Sequence, residues 1–180
     1  MEMLRRYFNG FGELSPENME QLLSYCVEGK LSKRQKLIRC NQTVDSIYFI
    51  MDGFLHYYMH NDLGDQITLK IVSPNACWTV IDSFYDQKPT YDECQALGEV
   101  RFCQIKRADF VRLKEENVVL GRFIHRVTEQ ILSAKMLEMK KQMSMSVEEK
   151  YLDLLNSNPK MVQEVPVGIL ASFIGTSRDT

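Results

Sequence analysis

The sequence predicts an α+β chain: an N-terminal jelly-roll-like roll of antiparallel strands, one long helix, and the opening of a small winged-helix module. Three observations predict it. Between Leu37 and Ile105 short apolar runs alternate with turn residues, the pattern of strands in a sandwich or barrel. From Phe110 to Met143 the apolar residues recur at helical spacing. The last eleven residues, Leu170 to Thr180, read L-A-S-F-I-G-T-S-R-D-T, with Ala171 and Gly175 four apart, a spacing that lets one helix pack closely on a second and then turn.

Taken in order, residues 1 to about 30 read as short helices, with Ser15-Pro16-Glu17 as an N-cap followed by proline at the first helical position. Leu22, Leu23 and Cys26 then face inward. Asn41-Gln42, Asp52-Gly53, Asn61 to Asp65 and Ser73-Pro74-Asn75 punctuate the strands that follow. Ile47 to Met51 is a nearly unbroken apolar run, which suits a strand buried on both faces. Asn61 to Asp65 is the loop of a hairpin joining Phe54-to-His60 with Gln66-to-Val72.

The helical stretch has only Gly121 as a weak interruption, and Leu120, Ile124, Val127, Ile131 and Ala134 follow spacings of 4, 3, 4 and 3, the seam of a two-stranded coiled coil. A second stripe, Leu132, Met136, Met139 and Met143, lies beside it. A helix of about thirty residues is about 45 Å long, more than one small β domain covers, so part of it is expected to pack on another subunit; the alternative is that the seam covers its own domain. Ser146-Val147-Glu148-Glu149 is a capping box, so a new helix starts there and ends before Pro159, with Tyr151, Leu152, Leu154 and Leu155 on its buried side. Val162 to Val167 reads as a short strand or extended link. Leu170 and Ile174 then give the apolar face of a helix, Gly175 the tight turn, and Ser177 the N-cap of a helix beginning at Arg178. Three residues of a second helix cannot fill a major groove, so further residues are expected beyond Thr180. The chain thus divides into a roll over 1–110, a helix over 111–143 and an incomplete winged helix-turn-helix over 146–180.

Composition narrows the function. The 180 residues are 44% hydrophobic and 26% charged, enough for a normal core. There is no apolar run of membrane-spanning length, and the start M-E-M-L-R-R-Y-F lacks the features of a signal peptide, so a cytoplasmic address is expected, with no membrane partner. Twenty-two basic against twenty-four acidic residues confine any nucleic-acid contact to a local patch. The cysteines Cys26, Cys40, Cys77, Cys94 and Cys103 form no C-x-x-C pair and read as reduced thiols. No nucleophile-base pair or paired carboxylates argue for catalysis, so no enzyme and no catalytic residue is expected.

The order of parts resembles the Crp/Fnr family of regulators, and the resemblance covers essentially the whole chain. It rests on Asp45-Ser46-Ile47-Tyr48-Phe49-Ile50-Met51-Asp52-Gly53, similar to the family's strand and turn; on Glu148-Glu149-Lys150-Tyr151, similar to the opening of its DNA-binding domain; and on Gly175-Thr176-Ser177-Arg178-Asp179-Thr180, similar to its G-x-S-R-E-T. The resemblance implies a homodimeric transcriptional regulator: a cyclic-nucleotide-binding-like β-roll as sensor, a dimerising helix, a helix-turn-helix on a palindromic double-stranded DNA operator, and RNA polymerase as a further partner. It also implies that Arg178 contacts guanine, that Asp179 accepts from cytosine with a side chain one methylene shorter than the family's Glu, and that Ser177 and Thr180 hold phosphate.

Cyclic-nucleotide members carry a cassette of roughly G-E-L and then R-S-A. The corresponding stretch here, Pro74 to Val80 through Tyr91 to Ala96, lies in an interval with no arginine between Arg39 and Arg101, with Lys70 and Lys88 as its lysines and with Asp82, Asp86, Asp92 and Glu93 making it acidic. Cyclic AMP and cyclic GMP are therefore not expected as ligands. The family's N-terminal iron-sulfur cysteines are missing. His56, His60 and Cys77 offer haem ligands on paper and His56 with His60 raises a metal-bearing cupin, but a full ligand set is not evident, so neither metal nor cofactor is expected. If an unknown small-molecule effector binds, Trp78, Phe84, Tyr85 and Tyr91 are candidate aromatic walls, closed by Phe123 or Val127; plain core packing is the alternative for each. A ligand-sensing or scaffolding roll without DNA binding, and a cupin-type enzyme, remain the competing functions.

Overall fold

The structure, a computed structural model, describes residues 1–176. Two short helices open it, α1 (Glu2–Asn9) and α2 (Pro16–Ser24), the second capped by Ser15, whose hydroxyl accepts from the Asn18 amide at 3.3 Å. Ten strands follow: β1 (Val27–Leu31), β2 (Lys36–Ile38), β3 (Gln42–Thr43), β4 (Ser46–Asp52), β5 (Leu55–His60), β6 (Gln66–Val72), β7 (Ala76–Trp78), β8 (Pro89–Thr90), β9 (Glu93–Ala96) and β10 (Val100–Lys106), with α3 (Ile81–Asp86) between β7 and β8. Then come α4 (Arg107–Glu116), α5 (Val118–Ser144), α6 (Val147–Ser157), α7 (Pro159–Glu164) and α8 (Val167–Ile174).

All strand pairs are antiparallel, in one sheet ordered β1-β10-β4-β7, a second ordered β2-β9-β5-β6, and a two-stranded β3-β8. Strand alternation sorts the side chains into three cores. Tyr48 and Ile50 of β4, Leu55 of β5, Val72 of β6, Trp78 of β7, Cys94 and Ala96 of β9, and Val100 and Phe102 of β10 fill the roll between the sheets. Phe49 and Met51, on the other side of β4, join Cys103 under α1, α2, α4 and α5. Phe54 and Ile71, outside the second sheet, pack with Leu154, Met161, Val165, Leu170 and Ile174 of the C-terminal helices. The order is helices, sheet, sheet, helices.

Two glycines are required where they stand. Gly53 turns β4 into β5 at φ +80°, and a Cβ there would run into the Glu99 carbonyl oxygen, with Val100 Cα at 3.0 Å. Gly121 lets α5 cross α4 closely, since a Cβ would sit 2.8 Å from the Lys114 carbonyl oxygen.

The helical region departs from the sequence reading. The stretch from Phe110 to Met143 is two helices, broken at Asn117, whose backbone is extended and whose side-chain oxygen accepts from the Val119 and Leu120 amides at 3.0 and 3.1 Å. Asn117 Nδ2 also donates to Asn18 and Gln21 at 2.8 Å, tying the break to α2. In place of the expected strand or link at Val162 to Val167, the chain has the end of α7, started by the Asn158 cap and Pro159, a two-residue extended break at Val165 and Pro166, and the first residue of α8. The capping box at Ser146 and Glu149 is present, but on α6 only Leu154 is buried; Tyr151, Leu152 and Leu155 are exposed.

Candidate functional site

Three places were singled out by the sequence: the roll and the segment after β7, the face of α5, and the C-terminal turn. Inside the roll, Tyr57 meets the Trp78 ring edge-on at 5.1 Å, and Tyr48 lies 6.4 Å from Trp78 and 5.8 Å from Phe102. These rings pack the interior rather than line an open chamber. The Tyr57 hydroxyl donates to Asp92, and burial, together with that carboxylate, pushes the phenol well above its ordinary range.

The segment from β7 to β9 spends its polar groups on itself. Ser83 Oγ accepts from the Val44 amide at 2.9 Å and donates to the Lys88 carbonyl at 2.6 Å. Gln87, in a left-handed conformation, donates to the Phe84 carbonyl at 2.8 Å, and Arg107 Nε donates to the same oxygen at 3.0 Å. Lys88 faces Asp86 at 3.6 Å. Lys70 shares Tyr57's side of the sheet, is half-buried, and burial lowers its ammonium below the ordinary 10.5. An anion entering here meets acidic side chains and one partly desolvated lysine.

The outer face of the second sheet holds a polar network that sequence reasoning missed. Glu93 is buried on β9; Lys36 of β2 and the Tyr58 hydroxyl both donate to it, the latter at 2.8 Å. Burial alone would raise the carboxyl, but these two bonds outweigh it and hold Glu93 below the ordinary 4.5. Beside it His56, 1% exposed, stacks on Tyr58 at 4.6 Å and shares a 2.9 Å hydrogen bond between Nε2 and Thr68 Oγ1, while Nδ1 has no partner. Burial pushes this imidazole down to about 4. The cross-strand pairing of Tyr58 with Glu93 follows from register, which becomes legible only once the strands are aligned.

The expected effector walls do not converge. Trp78 belongs to the roll core, whereas Phe84, Phe123 and Val127 meet in the core under the helices. Tyr85 and Tyr91 are 48% and 78% exposed. Strand and helix periodicity send Trp78 and Phe84 to opposite sides of the first sheet. His60 is exposed, and among the described residues no three His, Cys, Asp or Glu side chains come together as metal ligands.

The seam on α5 divides. Leu120, Ile124 and Val127 are buried in the chain's own core and Ile131 packs at its margin, because the first half of α5 lies on the first sheet and α4; Ala134 is exposed. Beyond Val127 the apolar surface is that of the second stripe, Leu132, Met136, Met139 and Met143, joined by Leu137, a residue outside the expected stripe; all five are more than half exposed. Leu132, Met136 and Leu137, with Glu129, Ser133 and Lys140, form one open face of α5.

At the C-terminal end, Leu170, Ala171 and Ile174 are buried, and Gly175 closes α8 in the left-handed conformation with φ 85°. The DNA-contacting candidates Ser177, Arg178, Asp179 and Thr180 lie outside the described residues. No described helix is long and apolar enough to cross a membrane.

An antiparallel jelly roll followed by helices, with a helical insert after β7, defines a regulatory fold, and residues 28–117 match the cyclic nucleotide-binding domain family. The chain belongs to that family. Among solved structures, a cyclic nucleotide-binding domain from Methylobacillus flagellatus KT is similar at TM-score 0.68 and 21% identity, covering 76% of this chain and 78% of that one. DNR from Pseudomonas aeruginosa is similar at TM-score 0.60 and 12% identity, over 99% of this chain and 82% of that one. The catabolite activator protein of Thermus thermophilus is similar at TM-score 0.58 and 18% identity, over 94% and 81%. At these identities the likeness is one of fold. No curated protein sequence matches the chain.

Proposed function

We propose that this chain is a homodimeric, Crp/Fnr-like DNA-binding regulator whose β-roll senses an effector other than cyclic AMP or cyclic GMP. The observation that carries the reading is the second half of α5: an exposed apolar stripe, Leu132 to Met143, leads into capped helices that end on the left-handed Gly175, which Thr176 alone separates from Ser177-Arg178-Asp179-Thr180 in the sequence. Such a stripe is buried by a second copy. Two copies then present two recognition helices to successive turns of a palindromic operator, with Arg178 on guanine, Asp179 on a neighbouring base and the hydroxyls of Ser177 and Thr180 on phosphate. RNA polymerase is a further partner of the DNA-bound dimer. An effector that binds two arrangements of α5 unequally shifts the population competent for DNA.

The exclusion of cyclic nucleotides rests on charge. The interval from Cys40 to Val100 holds no arginine, Lys88 is spent on Asp86, and Asp82 and Asp86 face solvent where a cyclic phosphate would approach. Calorimetric titration with cyclic AMP and cyclic GMP is expected to give no saturable heat; tight binding of either sinks this part. A genome-wide binding profile of the full-length protein is expected to return a two-fold symmetric consensus, and recovery of no specific DNA even at low salt overturns the regulator reading.

A further inference from the structure

The roll and the C-terminal helices meet across a thin joint. Phe54 and Ile71 are the buried residues that the roll gives to it, against Leu154 of α6, Met161 of α7 and Leu170 and Ile174 of α8. Polar links ring this contact. The Thr68 amide donates to Ser172 Oγ of α8 at 3.1 Å, Asn158 Nδ2 donates to Ser73 Oγ at 3.1 Å, and Lys160 of α7 reaches Asp52 at 3.5 Å. α6 also packs on α7 and on α8, so the three helices hold together as a unit.

A buried titratable ring lies inside the joint. His56 faces outward from β5 and pairs across the strand with Ile71, which packs on α8; its Nε2 is bonded to Thr68, whose amide holds Ser172. These two neighbours bracket the imidazole under α8, and it is 1% exposed. Its Nδ1 is the one buried side-chain nitrogen or oxygen without a partner among the described residues. A second proton makes both ring nitrogens donors. Thr68 Oγ1 accepts from one, and no described group accepts from the other.

The charges around the ring are committed elsewhere. α8 carries none over Val167–Ile174, and the outward residues of β6, Thr68 and Ile71, carry none. On β9, Gln95 lies across the strand, and Glu93 accepts from Lys36 and Tyr58. His60 meets the edge of the Tyr58 ring. On α7, Lys160 lies between Glu164 and Asp52; on α6, Glu148, Glu149 and Lys150 stand at the start and Asp153 pairs with Lys141. An imidazolium here is a buried charge facing an apolar cluster, and water is the partner it gains by opening the joint.

We propose that this joint is acid-sensitive: a proton on His56 releases α6, α7 and α8 from the roll while the two sheets stay folded. The proposal does not depend on DNA binding or on an effector. Burial holds the closed ring neutral down to about 4, against an ordinary 6.5 that the ring recovers in water. Opening therefore takes up a proton between those two values, and the open population rises about 25-fold from about pH 7.5 to about pH 5.

Hydrogen exchange of the full chain, read by mass spectrometry as protection relative to the intrinsic rate at each pH, tests it. Protection of α8 is expected to fall about 25-fold over that range, with β4 and β10 better protected than α8 throughout. In His56→Gln the α8 protection is expected to be the same at both pH values, whatever its level. Should that variant fail to fold, His56→Phe keeps a ring on Tyr58 that cannot titrate. No fall in the wild type overturns the proposal, as does an equal fall in the variant. Loss of α8, β4 and β10 protection in one step also overturns it, because the whole fold then opens at once.

Discussion

His56 makes the stability of this fold depend on acid in a way that can be worked from its surroundings. The ring is 1% exposed, stacked on Tyr58, bonded to Thr68, and its one unsatisfied nitrogen is Nδ1. Around it lie Gln95 across the strand on β9, the Glu93–Lys36 pair beyond Tyr58, His60 at the edge of the Tyr58 ring, and on α8 no charged residue at all. Burial pushes the imidazole from the ordinary 6.5 down to about 4. The unfolded chain therefore takes up a proton as the pH falls through 6.5, while the folded chain holds none until about 4. Stability is full above the first value, declines between the two and levels off below the second. Going from about pH 7.5 to about pH 5 is worth about 2 kcal/mol by this group alone. Glu93 is held below its ordinary 4.5, so the stability it contributes is lost only at lower pH and does not mask the effect. Urea unfolding of the wild type and of His56→Gln, which keeps an amide for Thr68 and cannot titrate, measures the difference. If the two proteins lose stability in parallel over that range, the buried neutral imidazole is not the cause.

Gly53→Ala is expected to cost about 3 kcal/mol or more, from the strained φ and the Cβ driven into the Glu99 carbonyl, and denaturant unfolding gives the number. Asn117→Ala removes the acceptor for the Val119 and Leu120 amides of α5 and both bonds to α2, so a loss of about 2 kcal/mol and a melting point lower by about 4 to 8 °C are expected in calorimetry. Leu137→Lys, at a position 61% exposed in the single chain, is expected to leave the far-ultraviolet spectrum unchanged and to halve the mass seen by sedimentation; a wild type that already sediments as one chain refutes the dimer.

Features whose cause is local were legible in the sequence. The Ser15 and Ser146 caps, the Asn61 to Asp65 hairpin and the doubly buried run of β4 depend on neighbours within a few residues, and the structure has all of them. What was not legible depends on partners far along the chain. Asn117 breaks the helical run because Asn18 and Gln21 lie beside it, and nothing near Asn117 in sequence announces them. The seam residues Leu120, Ile124 and Val127 have the right spacing for a coiled coil, yet the same spacing serves a helix lying on its own sheet. Trp78 and Phe84 are both large aromatic residues six apart, but one strand and one helix send them into different cores. The Lys36–Glu93–Tyr58 cluster joins three strands and has no signature in any one of them.

The pairing of β5 with β6 slips by one residue between Tyr57 and Tyr58, so that Tyr57 faces Lys70 but Tyr58 faces Thr68. Leu69 is the residue without a counterpart. On the roll side of it Lys70 and Val72 look inward and Ile71 outward; on the hairpin side Thr68 looks outward and Ile67 pairs with Met59. Deleting that single residue would bring Thr68 directly after Lys70, so regular alternation would keep Thr68 outward opposite Tyr58 and Ile67 opposite Met59. The bulge thus absorbs one extra residue in β6 while leaving unchanged the face that each side of the hairpin shows to the rest of the molecule.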